Sequence, residues 1–418
     1  REVGRRRAEE LGGRSASPLV SGVENADRAA ASSSAAPRNG RGARGGGRRL
    51  YSGRPRRAGG AGETNVDARE NGGSGAAAEK AAPPKVTRVF SGMQPSGELH
   101  IGNYLGALQN WVRLQHEHPC IFSVVDLHAM TQDYPPAEMP RRIHDMALGW
   151  LAAGLDPEKC AIFVQSAVPE HAELSWILGT VTPMGSLERM TQYKDKAERQ
   201  PENVNAALFT YPVLMAADIL VYRADGVPVG EDQLQHLELA RELTRKFNNR
   251  FGEVFPEPQP LLTKATRVYG LDGERKMSKS LGNHIGLDDS PEVVWEKLAP
   301  AKTDVRRKRR TDPGEPEDCN IFSYHKFFSP AETCAWAAEG CRGASIGCRD
   351  CKQALAKNID AVLAPIRARR AEYEAKPGRV EEILAAGAAK LRPLARETME
   401  MVRDAMGVPK TLRYGEGR

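Results

Sequence analysis

After the first 85 residues, hydrophobic positions follow two alternating patterns. Short stretches at 85–91, 121–125 and 161–164 predict strands, and the apolar run at 121–125 is typical of a buried parallel strand. Between them, apolar residues recur at helical spacing over 100–114 and again over 139–151. Strand and helix therefore alternate, and this order predicts an α/β fold with a Rossmann-like, doubly wound parallel sheet.

Beyond residue 290 the pattern changes to long helical stretches such as 380–406, which contain few strand-forming residues. This predicts a separate C-terminal α-helical domain at 288–418, after an α/β domain at 86–287. Nowhere does the chain reach the roughly 18 uncharged apolar residues of a membrane-spanning helix. We therefore expect no membrane partner.

Residues 1–85 are rich in Ala, Gly, Arg and Ser and show no periodicity, which predicts a disordered arm. The arm contains 17 Lys and Arg against 9 Asp and Glu. Its excess of Arg is typical of an organelle transit peptide, for a mitochondrion or a chloroplast, although the acidic residues count against this. The alternative is a disordered RNA-binding arm.

The full chain has a net charge of +6, but residues 86–418 carry 43 Lys and Arg against 45 Asp and Glu. A nucleic-acid partner of this part must then be held by local basic patches, such as the five basic residues at 306–310. Seven cysteines in 418 residues are too few for a disulfide scaffold, which favours a reducing compartment.

The segment 94–103 follows the first predicted strand, at the edge of the sheet where ligands bind. The helix that starts there offers free amides to phosphate. His100 and Asn103 project from one side of its first turn, and Gly102 allows a planar base to come close. The alternative is that His100 and Asn103 only cap the helix.

A second candidate phosphate site is the loop Lys276-Met277-Ser278-Lys279-Ser280, whose two lysines lie three residues apart. Such lysines can close on a polyphosphate, although solvated lysines are the ordinary explanation of a short basic run. Together with His-Ile-Gly-Asn at 100–103, the loop resembles the two signature elements of the class I aminoacyl-tRNA synthetases.

Longer segments resemble one family within that class, the tryptophanyl-tRNA synthetases of bacterial and organellar type. They are FSGMQPSGELHIGNYLGA at 90–107, LERMTQYKDK at 187–196, LFTYPVLMAADILVY at 208–222 and VPVGEDQLQH at 227–236. The resemblance implies a ligase that activates L-tryptophan with ATP and Mg²⁺ and transfers it to tRNA(Trp). It also implies a homodimer, with an inserted dimer and tryptophan-pocket segment in the α/β domain and an anticodon-binding helical domain. The alternatives are a tyrosyl-tRNA synthetase or a nucleotidyltransferase of the same Rossmann class.

Asp218 lies among apolar residues of a predicted helix, where burial is costly without a partner. A structural salt bridge is one explanation; the resemblance instead makes Asp218 the acceptor of the indole N–H. The resemblance assigns the remaining roles by matching position. Catalytic residues are Lys276, Lys279, Lys196, His100 and Asn103; ATP-binding residues are Gln94, Pro95, Ser96, His100, Gly102, Asn103, Gly230, Glu231, Asp232, Val268, Lys276, Met277, Ser278, Lys279 and Ser280; tryptophan-binding residues are Asp218, Tyr211, Met215, Gln233, His128, Phe90 and Gln94.

Four cysteines, Cys319, Cys341, Cys348 and Cys351, are separated by 21, 6 and 2 residues. The last interval lets two thiolates reach one metal centre, and both zinc and a 4Fe-4S cluster accept four thiolates. Some bacterial tryptophanyl-tRNA synthetases carry a 4Fe-4S cluster on cysteines of nearly this spacing. The resemblance therefore favours a 4Fe-4S cluster here, with zinc as the alternative. The other cysteines are expected to be ordinary thiols.

Overall fold

The computed structural model describes residues 86–408, apart from 192, 195–197, 199–200, 231–232 and 263–267. The expectations for residues 1–85 and for Lys196, Glu231 and Asp232 lie outside the described residues.

Five parallel strands form one sheet in the order β3-β2-β1-β4-β5. This order reverses direction at β1, so the carboxyl ends of β1 and β4 border a crevice suited to a ligand. The predicted doubly wound parallel sheet is confirmed. The strands are β1 Val89–Met93, β2 Cys120–Val124, β3 Cys160–Val164, β4 Gly226–Val229 and β5 Gln259–Leu262.

Helices surround the sheet. A π-helical turn at Tyr104–Leu108 joins the first two, and short 3₁₀ turns lie at Pro136–Glu138, Gln165–Ala167, Pro201–Asn203, Lys279–Leu281 and Pro316–Asp318. The helices are α1 Ile101–Asn103, α2 Gln109–Leu114, α3 Asp126–Ala129, α4 Met139–Ala153, α5 Glu170–Gly179, α6 Met184–Glu188, α7 Ala206–Leu220, α8 Leu234–Phe251, α9 Pro291–Leu298, α10 Asn320–Phe328, α11 Ala331–Arg342, α12 Cys348–Glu374 and α13 Arg379–Met406. Among the described residues, no helix has the length and apolar character needed to cross a bilayer.

Apolar residues cover both faces of the sheet, as expected for parallel strands. On one face Trp111 stacks on Phe122 at 4.6 Å and meets the ring of Trp150 edge-on at 5.2 Å. Such pairs each add about 1 kcal/mol beyond the burial of apolar area. On the other face, Phe163 and Phe247 are fully buried. The sheet is thereby held rigidly, and its carboxyl edge gives the loops above it a fixed base.

The two long C-terminal helices pack closely on the α/β core. Helix α13 lies against β3, and a Cβ on Gly387 would fall 2.0 Å from the carbonyl oxygen of Ile162. Glycine is thus required at this crossing, because any side chain would push the helix off the strand. The domain boundary at residue 288 stays a prediction; the described helices beyond it share buried contacts with the sheet.

Candidate amino-acid and nucleotide site

A cavity of about 390 Å³ opens at the crevice between β1 and β4. Strand ends supply its floor and α7 supplies one wall, so its shape is set by rigid elements. All the residues predicted to bind tryptophan line this cavity, together with Gly230 from the predicted ATP set. They are Phe90, Gln94, His128, Tyr211, Met215, Asp218 and Gln233.

Asp218 lies at the wall of this cavity and is 2% exposed. Its Oδ2 lies 2.9 Å from Nε2 of His128. Its Oδ1 lies 2.7 Å from Nδ1 of His171 and accepts a hydrogen bond of 2.7 Å from Nε2 of Gln165. The other ring nitrogen of His171 lies 2.7 Å from the hydroxyl of Tyr222. A buried acid is therefore satisfied by several donors on different elements.

These donors determine the charge of Asp218. Burial alone would raise the pKa of the carboxyl group, but hydrogen bonds from His128 and His171 outweigh it and lower the pKa to about 2. Asp218 is thus ionised at neutral pH. An ionised carboxylate only accepts hydrogen bonds, which is the chemistry that an N–H donor in the cavity requires.

A second hydrogen-bonded group also lines the cavity. The hydroxyl of Tyr211 lies 2.7 Å from Nε2 of His236, and Nδ1 of His236 lies 3.0 Å from Oε1 of Gln233. Burial raises the pKa of Tyr211 to about 12, so its hydroxyl stays protonated. The cavity therefore combines apolar surface from Phe90 and Met215 with polar groups at defined positions.

The helix start at His100 is capped by its own side chains. Nδ1 of His100 accepts a hydrogen bond of 3.1 Å from the amide of Gly102, and Oδ1 of Asn103 accepts one of 3.0 Å from the amide of His100. Capping, the alternative role of these side chains, is therefore present. It leaves Nε2 of His100 and Nδ2 of Asn103 unused by the cap. Burial, with nearby His284 and Lys276, lowers the pKa of His100 to about 4, so the ring is neutral at pH 7.

The loop with the two lysines is attached to this helix start. Backbone hydrogen bonds of 3.0 Å join Ile101 N to Ile285 O and Leu287 N to Leu99 O. Met277 is buried, and its Cβ lies 3.5 Å from the position of a Cβ built on Gly102. The structure thus brings the two signature elements together.

Two polar contacts hold the loop 276–280 next to the start of α1. Nζ of Lys279 lies 2.9 Å from a carboxylate oxygen of Glu98, and this contact lowers the pKa of Glu98. Oδ1 of Asn283 accepts a hydrogen bond of 2.8 Å from the amide of Ser278.

Other predicted ATP residues lie around the same loop. The hydroxyl oxygens of Ser278 and Ser280 lie 2.9 Å apart and share a hydrogen bond. The amide of Met277 donates to the carbonyl of buried Val268, and Lys276 pairs with Tyr269 in an antiparallel bridge. The remaining two, Pro95 and Ser96, lie in the turn between β1 and α1, and Gln94 and Gly230 line the cavity.

The four clustered cysteines line one small cavity of about 20 Å³. Cys319 precedes α10, Cys341 lies in α11, and Cys348 and Cys351 lie in the first turn of α12, so three helices meet there. All four are free thiols. Among the described residues, no group of three or more metal-binding side chains is arranged to hold a metal ion.

Comparison with known proteins adds to this geometry. A family model described as "tRNA synthetases class I (W and Y)" matches residues 83–364. The tryptophan–tRNA ligase of Deinococcus radiodurans is 52% identical over 330 residues, which cover 78% of this chain and 100% of the relative. The ligase of Thermotoga maritima is 46% identical over 326 residues, which cover 77% and 99%. The chain belongs to the class I tryptophanyl-tRNA synthetase family.

Solved structures agree with membership of this synthetase family. The crystal structure of tryptophanyl-tRNA synthetase from Campylobacter jejuni, complexed with ADP and tryptophan, matches with a TM-score of 0.70 and 37% identity. The match covers 77% of this chain and 100% of that structure. A tyrosyl-tRNA synthetase from Archaeoglobus fulgidus matches at a TM-score of 0.55 and 24% identity, which shows the shared fold alone.

One expectation is wrong. Four tryptophan–tRNA ligases that are 38% to 52% identical to this chain come from bacteria, and they point to a bacterial protein rather than one of a mitochondrion or chloroplast. The organellar prediction depended on the Arg and Ser content of residues 1–85. Such a composition is shared by many Arg-rich arms, so it does not specify a destination.

Sequence analysis missed several residues of this synthetase's site. His171, Gln165 and His236 contact the predicted side chains directly. The only local signal was at His236, which lies three residues after Gln233 on the same side of a helix. His171 and Gln165 carry no such signal, because they reach Asp218 from 47 and 53 residues away.

Proposed function

We propose that this chain is a tryptophan–tRNA ligase, which activates L-tryptophan with ATP and transfers it to tRNA(Trp). The observation that supports this best is the ionised, buried Asp218 at the wall of an apolar cavity beside the signature loops. The names of relatives that match over nearly their full length agree with it.

The indole ring of tryptophan offers one hydrogen-bond donor on a large apolar surface. In our proposal, Asp218 accepts the indole N–H, while Phe90, Met215 and His128 border the ring. Tyr211, Gln233 and Gln94 meet the amino and carboxylate groups. This orientation points the carboxylate toward the start of α1, where ATP would be held.

Adenylate formation needs no nucleophile from the protein. A carboxylate oxygen of tryptophan attacks the α-phosphorus of ATP, the bond to the bridging oxygen breaks, and pyrophosphate leaves with the electron pair. Positioning the two substrates in line accounts for much of the catalysis. Stabilising the charge that moves onto pyrophosphate supplies the rest.

We assign the ATP contacts by the same reasoning. The amides at the start of α1, with Pro95, Ser96, His100, Gly102 and Asn103, hold phosphate and allow the base to approach. Gly230, Glu231 and Asp232 hold the ribose, and Val268 with 276–280 closes over the phosphates. Lys276, Lys279 and Lys196 neutralise the leaving group. Mg²⁺, the usual companion of ATP in synthetases, would share this charge.

Exchange of labelled pyrophosphate into ATP tests the activity. With wild-type protein we expect exchange that depends on tryptophan and is negligible with the other amino acids, because tyrosine and phenylalanine lack an indole N–H for Asp218. Exchange driven by tyrosine would identify a tyrosyl-tRNA synthetase. A lack of exchange with every amino acid would contradict the proposed function and favour a nucleotidyltransferase, whose adenylyl acceptor is not an amino acid.

We propose that the basic run 306–310 and the helices around it contact tRNA phosphates. Arg306 donates hydrogen bonds to the carboxylates of Asp304 and Asp318. Arg307 donates to the backbone carbonyl oxygens of Arg310 and Ile346. Lys308, Arg309 and Arg310 remain exposed. Exposed cations of this kind attract the backbone of a nucleic acid.

We propose further that Cys319, Cys341, Cys348 and Cys351 hold a 4Fe-4S cluster. The chemistry of the donors supports this, because four thiols line one cavity and Nη1 of Arg307 lies 3.7 Å from Sγ of Cys341; the thiols would have to close around the cluster, since they are not arranged for a metal ion in the described structure. A nearby cation offsets part of the charge of four thiolates. When bound, the cluster would crosslink α10, α11 and α12.

Protein purified without oxygen is expected to contain about four iron atoms per chain, since a cubane cluster takes four thiolates. Cys348→Ser or Cys351→Ser should lose the iron and the brown colour. Cys334→Ser is the matched control, because Cys334 does not line the cavity and bonds instead to the carbonyl of His325. One zinc and no iron would establish the zinc alternative, and neither metal would contradict both.

We also propose that the enzyme is a homodimer. Trp176 on α5 and Met184 on α6 are 79% and 62% exposed, and both helices pack on α7, which carries Asp218. Large apolar side chains on the surface are typical of subunit contacts. Sedimentation equilibrium should give twice the chain mass, and a monomer at all concentrations would contradict the proposal.

A further inference from the structure

Asp218 receives more hydrogen bonds than one indole N–H would explain. A carboxylate has about four acceptor positions, two on each oxygen. Oδ1 uses both of its positions for His171 and Gln165, while Oδ2 uses one for His128. The remaining position is on Oδ2, which is therefore the atom that accepts a ligand's N–H.

The direction of these bonds follows from the chemistry of the partners. Because a carboxylate only accepts, His171 donates to Asp218 from Nδ1 and His128 donates from Nε2. The other ring nitrogen of His171, Nε2, lies 2.7 Å from the hydroxyl of Tyr222, so a hydrogen-bonded chain runs from Tyr222 through His171 to Asp218.

The hydrogen-bonded chain from Tyr222 to Asp218 lies behind the cavity. His171 and Tyr222 are both fully buried, and neither lines the cavity. The ring of His171 stacks on Phe163 and the ring of Tyr222 stacks on Phe90, each at a centroid distance of 5.8 Å. Packing therefore fixes both rings, and through them the rotation of the carboxylate about its own bond.

We propose that His171, held by Tyr222, is a positioning residue that sets tryptophan specificity. It occupies Oδ1 of Asp218 and so turns the open position of Oδ2 toward the indole N–H. This inference rests on the proposed function, because it assumes that tryptophan occupies the cavity. A loosely held carboxylate would still border an apolar ring, but it would no longer aim an acceptor at the ring's single donor.

The test compares two ligands by titration calorimetry: L-tryptophan, and 3-benzothienyl-L-alanine, in which sulfur replaces the ring N–H. His171→Phe keeps a ring against Phe163 and removes both hydrogen bonds. We expect it to weaken tryptophan binding roughly 30-fold and binding of the analogue less than about 3-fold, because only tryptophan uses the positioned acceptor. Tyr222→Phe should also weaken the binding of tryptophan more than that of the analogue, but by a smaller factor than His171→Phe.

Rescue and control variants distinguish positioning from general damage. His171→Asn retains a donor near the position of Nδ1 and should recover part of the affinity for tryptophan. Thr244→Val removes a fully buried hydroxyl that donates to the carbonyl of Ala240 within α8, away from the site. Thr244→Val should leave the affinity for both ligands unchanged, even where it lowers the melting temperature.

Two outcomes would overturn the inference. If His171→Phe and Tyr222→Phe weaken both ligands equally, His171 only supports the fold of the pocket. If His171→Asn is no better than His171→Phe, the donor to Asp218 has no role. Wild-type protein that binds no tryptophan would instead refute the proposed function, and this inference with it. Should His171→Phe fail to fold, Tyr222→Phe alone decides by the same comparison.

Discussion

Asp218→Asn is expected to raise the KM for tryptophan about 100-fold or more in the exchange assay, with a smaller change in the KM for ATP. The amide has one oxygen where the carboxylate has two, so its NH₂ must face existing donors. If the NH₂ takes the place of Oδ1, it faces the donors of His171 and Gln165; if it takes the place of Oδ2, it faces the donors of His128 and the indole ring. A buried donor without an acceptor costs roughly 1–3 kcal/mol, and here two sets of donors compete for one oxygen.

The same substitution is expected to lower the free energy of unfolding by about 3 kcal/mol, since it breaks a buried charged network. Asp225→Asn is the control. Asp225 accepts hydrogen bonds from the amides of Thr87 and Arg88 at the amino end of β4, away from the cavity. Asp225→Asn should reduce stability without changing the KM for tryptophan. A KM for tryptophan that Asp218→Asn leaves unaltered would eliminate the assigned role of Asp218.

The stability that Asp218 contributes should depend on pH. Its pKa in the folded protein is about 2, below the value of about 4 in an unfolded chain. The contribution is therefore complete above pH 4 and is lost as the pH falls from about 4 to 2. Denaturant unfolding of wild type and Asp218→Asn should show a difference in free energy that shrinks over this interval. A difference that stays constant from pH 5 to pH 2 would mean that the carboxyl is not held ionised.

Part of the fold was predictable because the first three strands contain clusters of apolar, strand-forming residues that turns or helices separate. The last two were not predicted: β4 contains Pro228 and β5 contains Pro260, and each strand has four residues. Proline lacks an amide donor and counts against a central strand. Strand β4 is fully buried between β1 and β5, whereas β5 is the edge strand of the sheet and is only partly buried. Both strands owe their place to partners distant in sequence, which a local pattern does not report.

The site, like the fold, was predictable only where the sequence carries a local signal. The segments 94–103 and 276–280 could be identified because helix starts and short loops carry local signals. Asp218 was identifiable as an acid among apolar residues. Two of its partners were not, because His171 and Gln165 come from elements that the sheet brings to its carboxyl edge. A histidine near the start of α5 looks like any surface residue until the topology places it beneath α7.

Lys276→Ala and Lys279→Ala are each expected to lower the kcat of adenylate formation about 100-fold, with little change in the affinity for tryptophan. Both charges matter most when pyrophosphate leaves, so their loss destabilises the transition state more than the bound substrates. Lys279 pairs with Glu98 in the described structure and must leave that carboxylate to reach a phosphate. Glu98→Gln should then reduce the KM for ATP, since it removes the competing partner of Lys279.

Lys302→Ala provides the matched control. Lys302 is an exposed lysine that pairs with Glu274, so this substitution removes the same charge outside the proposed ATP contacts. Single-turnover measurements of adenylate formation at saturating tryptophan and ATP separate chemistry from binding. Normal turnover in Lys276→Ala and Lys279→Ala, with only the KM for tryptophan raised, would contradict the assigned role. An equal loss in Lys302→Ala would show that net charge matters and that the position of the two lysines does not.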